Sequence, residues 1–561
     1  LSLRNYIGYL RSTILYLKRT YTKYYILFLI INASILASKI YMRSYDALTH
    51  LFFAHHYARD WFNIWEYKWY GGFMVTSYPP FVHQILALLM SVFGLEYSFG
   101  ILAILTLVLA AYALKIFAEN VFNFNSKLIM PMALLNPTLY LFLYVFGQLP
   151  TVFASALSLL ASSYMAVYVR EGGKYYLAVS SLLASLAIMS HHVTSLFFLP
   201  TTTLLALCNV VLKSKERRKV VFKFLLFTSL CLLISLPVAL MMYYSITSTP
   251  MQTPIPHGSR DNIFSNIVYS GVFFWSTYGP LAFMFPIVYY VLLRRNIIYA
   301  IVLTVLVIFG LGGVTPIPKI FLGQTLYNIL TFDKFSLWSS LLMLVPLAYY
   351  LEEELSHHTK KTSKIVLVAI ISSFILAIVL TFLFLTLVYP LQPPRPNIEA
   401  IAKYLNKKNG PGFYVTIDMG TWFKELSIRT EKPTLDGGYN TARRIKLLVK
   451  SGVESIDSAL FFPNGTYLIR EILTNPDKYG IRWVITVGEK LSGNLFSKEF
   501  TLVKEIPGKT YVRIWENKEG YEESFYKLFK VRRENSYIWG LEPITVGILT
   551  LILVLHRCLR K

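Results

Sequence analysis

The chain has 561 residues, 55% hydrophobic and 15% charged, with a formal net charge of +24 and a mean hydropathy of +0.50. Its apolar runs are long enough to cross a hydrocarbon core roughly 30 Å thick, where backbone must pair within itself. This excludes a soluble globular protein and predicts a polytopic α-helical membrane protein, whose basic excess belongs to span flanks and anionic headgroups rather than to nucleic acid.

Arg4, Arg11, Lys18, Arg19 and Lys23 lead into a first span over 24–42, read as a retained helix with no cleavage site before it. Twelve spans are predicted, over 24–42, 80–96, 98–118, 149–169, 175–190, 193–212, 221–246, 271–293, 296–312, 335–351, 364–389 and 538–557. A further apolar piece, 127–146, is interrupted by Asn136-Pro137, so a bent or re-entrant element that does not cross is expected. With both termini cytoplasmic, this count places Arg170/Lys174, Lys213–Lys223, Arg294-Arg295, Lys360/Lys361/Lys364 and Arg557–Lys561 inside. The expected location is the plasma membrane. Cys208, Cys231 and Cys558 are too scattered for a disulfide framework or a Cys metal site.

Two segments then face outward, the loop 43–79 and the stretch 390–537. The second opens on Pro390, Pro393, Pro394 and Pro396, a stiff linker, and continues as mixed α/β. Ile398–Leu405 has helical spacing, and Phe413–Ile417, Trp483–Val487 and Tyr511–Trp515 are β-rich. The domains expected are therefore a membrane domain over 1–389, an extracytoplasmic α/β domain over 390–537, and a membrane helix with a basic tail over 538–561.

The loop 43–79 concentrates reactive side chains: Tyr45-Asp46, His50, His55-His56, Asp60 and Ser77-Tyr78-Pro79-Pro80. If Tyr45 to Trp61 is one helix, Asp46, His50, His56, Tyr57 and Asp60 share a face. A carboxylate and an imidazole four residues apart suit a general base with its orienter, or two ligands of a divalent ion, here Asp46 and His50. The alternative is an interfacial amphipathic helix whose rings, from Phe52 to Tyr70, form an aromatic belt.

Other candidates lie at the same edge. Gly147-Gln148 offers close approach with a donor and an acceptor. His191-His192 suits a phosphate. His257, Arg260 and Asp261 lie on a Pro- and Thr-rich loop that could cover a donor. Lys334 opens a span and suits either a donor phosphate or snorkelling to the interface. Asp418, Glu425 and Asp436 read as surface acids, and Asn464-Gly465-Thr466 is a glycosylation sequon. No Gly-rich nucleotide loop is evident, which argues against a cytoplasmic nucleotide-sugar enzyme.

Asp46 with His50, the Trp-rich loop closing on Tyr78-Pro79-Pro80, and Asn136-Pro137 followed by Gly147-Gln148 together resemble the GT-C superfamily of membrane glycosyltransferases. The nearest likeness is to archaeal and bacterial membrane proteins labelled 6-pyruvoyl-tetrahydropterin synthase-related, although this chain shows no sign of that soluble enzyme's zinc site. The resemblance implies a polyprenyl-phosphate sugar donor, transfer on the extracytoplasmic face, and a catalytic carboxylate on Asp46, with Asp60 as second candidate. His50, His56, Tyr57, Tyr78, Gln148, His191, His192, Arg260 and Lys334 are the expected donor-binding residues. The acceptor would be a glycan, a lipid or a protein. Where the family often shows a tight acid-x-acid pair, the two aspartates here, Asp46 and Asp60, are fourteen residues apart. A transporter or flippase would instead place ionisable groups at mid-membrane and repeat broken helices in two halves. An assembly protein would use the outer domain for docking.

Overall fold

The computed structural model describes residues 22–260, 277–355, 360–388, 390–488 and 500–560. Among these, eight helices are long and apolar enough to cross a membrane: Phe81–Phe122, Ile129–Phe146, Leu149–Glu171, His192–Lys213, Arg217–Thr247, Asp333–Glu354, Lys361–Val388 and Tyr537–Leu559. Thr22–Ser38, Lys174–Ile188 and Ile297–Gly310 are apolar but shorter.

The expected spans 80–96 and 98–118 are two helical segments within Phe81–Phe122 that meet at a sharp kink at Gly94 (φ 76, ψ 170), a positive-φ conformation that glycine tolerates. Of the expected span 271–293, residues 271–276 lie outside the described residues, and the rest holds a 3-10 turn over Gly279–Met284 followed by the helix Phe285–Arg295. The 127–146 piece is bent at its proline. Asn136 caps the new start by accepting from the Thr138 amide at 3.1 Å, and residues 141–146 widen into a π turn that Gly147 ends in the left-handed region. Ile129–Phe146 is itself long enough to cross, so the side assignments drawn from parity do not follow from length. Inside this layer, the buried Asn32 amide donates to Tyr140 Oη at 2.8 Å and accepts from Tyr144 Oη at 2.7 Å, pinning the first helix to the bent element.

At one end of the helices the loop 43–79 and the residues beyond 390 form a joint cap. The sheet has strand order Phe413–Ile417, Ile481–Val487, Val512–Asn517, Phe500–Ile506, with the first pair parallel and the others antiparallel. Three of these strands follow the β-rich runs; Phe500–Ile506, which carries the adjacent pair Lys504 and Glu505, is the added edge strand. The proline segment is not a free spacer. It packs on the sheet domain, with the Trp422 indole donating to the Pro393 carbonyl at 2.8 Å and the Thr421 amide to Gln392 Oε1 at 2.8 Å.

Nor are Glu425 and Asp436 surface acids. Both are 1% exposed. Glu425 is held between Arg395 and Arg429, and Asp436 accepts from the Gly437 and Asp457 amides. Backbone bonds stitch the two parts of the cap: Thr434 to Lys68 at 2.8 Å, Lys530 to Gly71 at 2.8 Å, and Ile64 to Glu534 at 2.8 Å.

Candidate active site

The helix predicted after the first span is Ala47–Arg59. Ten of its 13 residues are buried, and only Ala58 and Arg59 at its end are exposed, so it is packed inside the protein rather than laid on a membrane surface. Asp46 stands at its N-cap but does not cap it. Ser44 Oγ takes the Ala47 amide at 3.2 Å instead, which leaves the carboxylate for other use. The turn is fixed from below, where the Tyr45 and Asp46 amides donate to the carbonyls of Val145 and Phe146 at 3.2 and 3.1 Å. Gly147 makes this approach possible. A Cβ there would lie 2.5 Å from the Ala47 nitrogen and 2.9 Å from that of Asp46, at φ +77. Gly147→Ala is expected to cost more than about 1 kcal/mol and to displace the Asp46 turn; thermal unfolding of the purified variant reads the first, and loss of activity without loss of expression reads the second.

Beside that turn runs a line of polar side chains. Gln148 Nε2 donates to Asp333 Oδ2 at 2.7 Å, Thr151 Oγ1 donates to Gln148 Oε1 at 3.4 Å, and His191 Nε2 lies 3.4 Å from Thr151 Oγ1. His191 Nδ1 accepts from the Thr194 amide at 3.2 Å, so its proton sits on Nε2, facing Thr151. Burial, then the neighbouring imidazoles and Lys334, keeps His191 neutral by lowering it well below the usual histidine range. Lys334 Nζ is 3.8 Å from Asp333 Oδ1 and bonds Thr331 Oγ1.

Tyr78 is the hub of a ring cluster. Its ring centroid lies 5.9 Å from His50, 5.1 Å from His83, 5.7 Å from His192 and 5.3 Å from Tyr439. His83 Nδ1 donates to the Pro79 carbonyl at 3.1 Å, so its Nε2 accepts from His50 Nδ1 at 3.0 Å. His50 is thereby left with a lone pair on Nε2, and burial holds it uncharged. His192 Nδ1 is buried without a hydrogen-bond partner.

The sheet domain closes the site. Lys424 Nζ donates to the Tyr45 carbonyl at 2.7 Å, and Tyr439 Oη donates to the Ser77 carbonyl at 2.9 Å. Asp46 is pushed up to about 6, chiefly by burial, with Glu454 and Asp333 raising it further and Lys424 and Lys334 holding it down. A carboxylate tuned there is mostly ionised at neutral pH yet basic enough to take a proton.

Asp46, His50, Tyr78, Gln148, His191, His192 and Lys334 are thus gathered at one end of the helices. Asp60, His56 and Tyr57 are not. Asp46 and Asp60 flank the 13-residue helix at its two ends, about 20 Å of helix apart, so neither lies on the shared face that the spacing suggested. His56 is turned to Glu66, with Nδ1 2.8 Å from Oε2 and Nε2 2.6 Å from the Asn63 carbonyl, a strut inside the loop. Tyr57 Oη takes the Trp539 indole at 2.8 Å and so ties the loop to the last helix. Arg260 spends its guanidinium on the Ile255 and Asn328 carbonyls and fastens its loop; Asp261 lies outside the described residues. The metal reading of Asp46 with His50 meets the same difficulty. His50 Nδ1 is turned to His83, and among the described residues no three His, Cys, Asp or Glu side chains are arranged to hold a metal ion.

Four residues escaped the sequence reading. Asp333 stands next to Lys334, and His83 follows Pro79-Pro80 by a turn, so both carried a weak local signal. Lys424 and Tyr439 carried none, since only the fold brings them to Tyr45 and Ser77.

No protein-family profile and no curated protein matches the chain. The fold is similar to crystal structures of ArnT from Cupriavidus metallidurans. The apo state gives a TM-score of 0.55 at 12% identity, covering 88% of this chain and 98% of that one. The form bound to undecaprenyl phosphate gives 0.50 at 13% identity with the same coverage. The archaeal oligosaccharyltransferase AglB from Archaeoglobus fulgidus, in complex with an inhibitory peptide and a dolichol-phosphate, gives 0.43 at 9% identity, covering 83% of this chain and 70% of that one. At such identities the likeness is one of fold. The narrower pterin-synthase-related label finds no support in these structures.

Proposed function

We propose that the protein is a membrane glycosyltransferase that moves a sugar from a polyprenyl-phosphate donor to an acceptor on the extracytoplasmic face. The observation that carries this reading is the Asp46 carboxylate. It makes no capping bond at the helix start it flanks, is raised to about 6, and feels the charges of both Lys334 and Lys424. A fold similar to that of ArnT, which has been solved with undecaprenyl phosphate, supports the donor class. Asp46 takes the proton of the acceptor hydroxyl as its oxygen bonds to the anomeric carbon. The bond from that carbon to the phosphate oxygen breaks, and the phosphate leaves on its lipid. Lys334 and the His191 Nε2–H meet the charge that develops there, in a site where burial strengthens each contact. On this reading the cap is extracytoplasmic, both chain ends are cytoplasmic, and the protein resides in the plasma membrane.

The test is transfer of labelled sugar from polyprenyl-phosphate donors in proteoliposomes. Because Asp46 acts ionised, the rate should rise with pH through about 6 and level off above it. A profile flat across that region, or no label leaving any polyprenyl-phosphate donor, contradicts the reading.

A further inference from the structure

We propose that Lys424 is a positioning residue for the reaction: the sheet domain docks this lysine under the Tyr45–Asp46 turn and so sets the orientation of the Asp46 carboxylate. The inference rests on the transfer reading above and makes the sheet domain part of the active site. Lys424 is 6% exposed, and burying an ammonium is expensive unless its donors and charge are answered. The answer lies across the domain boundary. Its Nζ donates to the carbonyl one residue before Asp46, and the charge of Asp46 stands within its field. Gly438 clears the way for the stem, since a Cβ there would meet Lys424 Cε at 2.8 Å and Thr49 Oγ1 at 2.7 Å.

The helix that carries the lysine, Trp422–Arg429, is itself placed from the opposite side. The Asp457 carboxylate accepts the Met419 and Gly420 amides at 2.9 and 2.7 Å, and the Asp457 amide donates to Asp436 Oδ2 at 2.9 Å. Glu425 on the same helix is locked by Arg395 and Arg429. A second docking point, Tyr439 Oη on the Ser77 carbonyl, holds the far end of the loop. Two carbonyls of the 43–79 loop, one beside Asp46 and one beside Tyr78, are therefore gripped by side chains of the sheet domain. The interior of that domain is organised to hold the gripping helix still.

The test uses the full chain in nanodiscs, as wild type, Lys424→Met and Lys424→Arg. Two readouts are compared: hydrogen exchange of peptides covering 43–50, and steady-state transfer from a polyprenyl-phosphate sugar. In Lys424→Met the 43–50 peptides should exchange about tenfold faster while the strand Phe413–Ile417 keeps its protection. Turnover should fall about a hundredfold, with the KM for the donor nearly unchanged, as for a misplaced catalytic group. Lys424→Arg should restore most of both. Unchanged exchange over 43–50 in Lys424→Met overturns the proposal, as does a loss of protection spread evenly over the cap, or a full loss in Lys424→Arg. If the wild type moves no sugar, the transfer reading fails, while the exchange data still decide whether Lys424 holds the turn.

Discussion

Asp46→Asn should lower sugar transfer by about 10²–10⁴-fold, the usual contribution of a positioned general base, while leaving donor binding close to wild type. The substitution keeps the shape of the side chain and removes only its basicity. The turn does not need that carboxylate as a hydrogen-bond partner, because Ser44 supplies the cap and the backbone of the bent element holds the turn. An effect confined to turnover is therefore the signature sought. Turnover in donor-saturated proteoliposomes, alongside retention of a labelled polyprenyl phosphate, separates the two. Wild-type turnover in the variant would remove Asp46 from the chemistry.

The second large effect concerns stability. Glu66 is 1% exposed and serves three partners at once: His56 Nδ1 at 2.8 Å, Arg59 Nη2 at 3.0 Å and the Lys68 amide at 2.8 Å. Burial alone would raise its pKa, but the bond from His56 and the nearby charges bring it down to about 2. Removing one partner of a buried pair leaves the others uncompensated, so Glu66→Ala is expected to cost about 3–5 kcal/mol and to loosen the loop between the Ala47–Arg59 helix and the sheet domain. The pH dependence follows from the direction of the shift. The folded pKa lies below the ordinary carboxylate value, so the stabilisation is fully present above about pH 4.5 and is lost as pH falls toward 2. Thermal unfolding of wild type and variant across that window reads it. Curves that converge at acid pH are expected, and a constant gap would assign the effect to packing alone.

Much of the architecture was legible because each element carried its own period. Apolar runs mark the helices, Asn136-Pro137 marks the bend, and the β-rich runs mark three of the four sheet strands. The boundary between the expected spans 80–96 and 98–118 falls at Gly94, where the backbone leaves helical geometry. For the candidate site, the sequence singled out the loop 43–79 but gave its helix the wrong ends. Placing Asp46 and Asp60 on one helical face assumed that both lie inside the helix, and each instead flanks it. Two histidines of the same helix went to unrelated partners, His50 to His83 and His56 to Glu66, because packing direction is set by elements far along the chain. Lys424 and Tyr439 were invisible for the same reason, in that their roles exist only once the sheet domain sits on the loop.

On the proposed function, a lipid-borne sugar meets Asp46 at the seam between the helices and the cap. Its most direct test is the structure of the full chain with a polyprenyl-phosphonate sugar, a donor analogue that cannot transfer. The account predicts the phosphonate against Lys334 and His191, with the anomeric carbon facing Asp46. Density for the headgroup at the opposite end of the helices, beside Arg217 and Arg218, with the Asp46 side left empty, would contradict it.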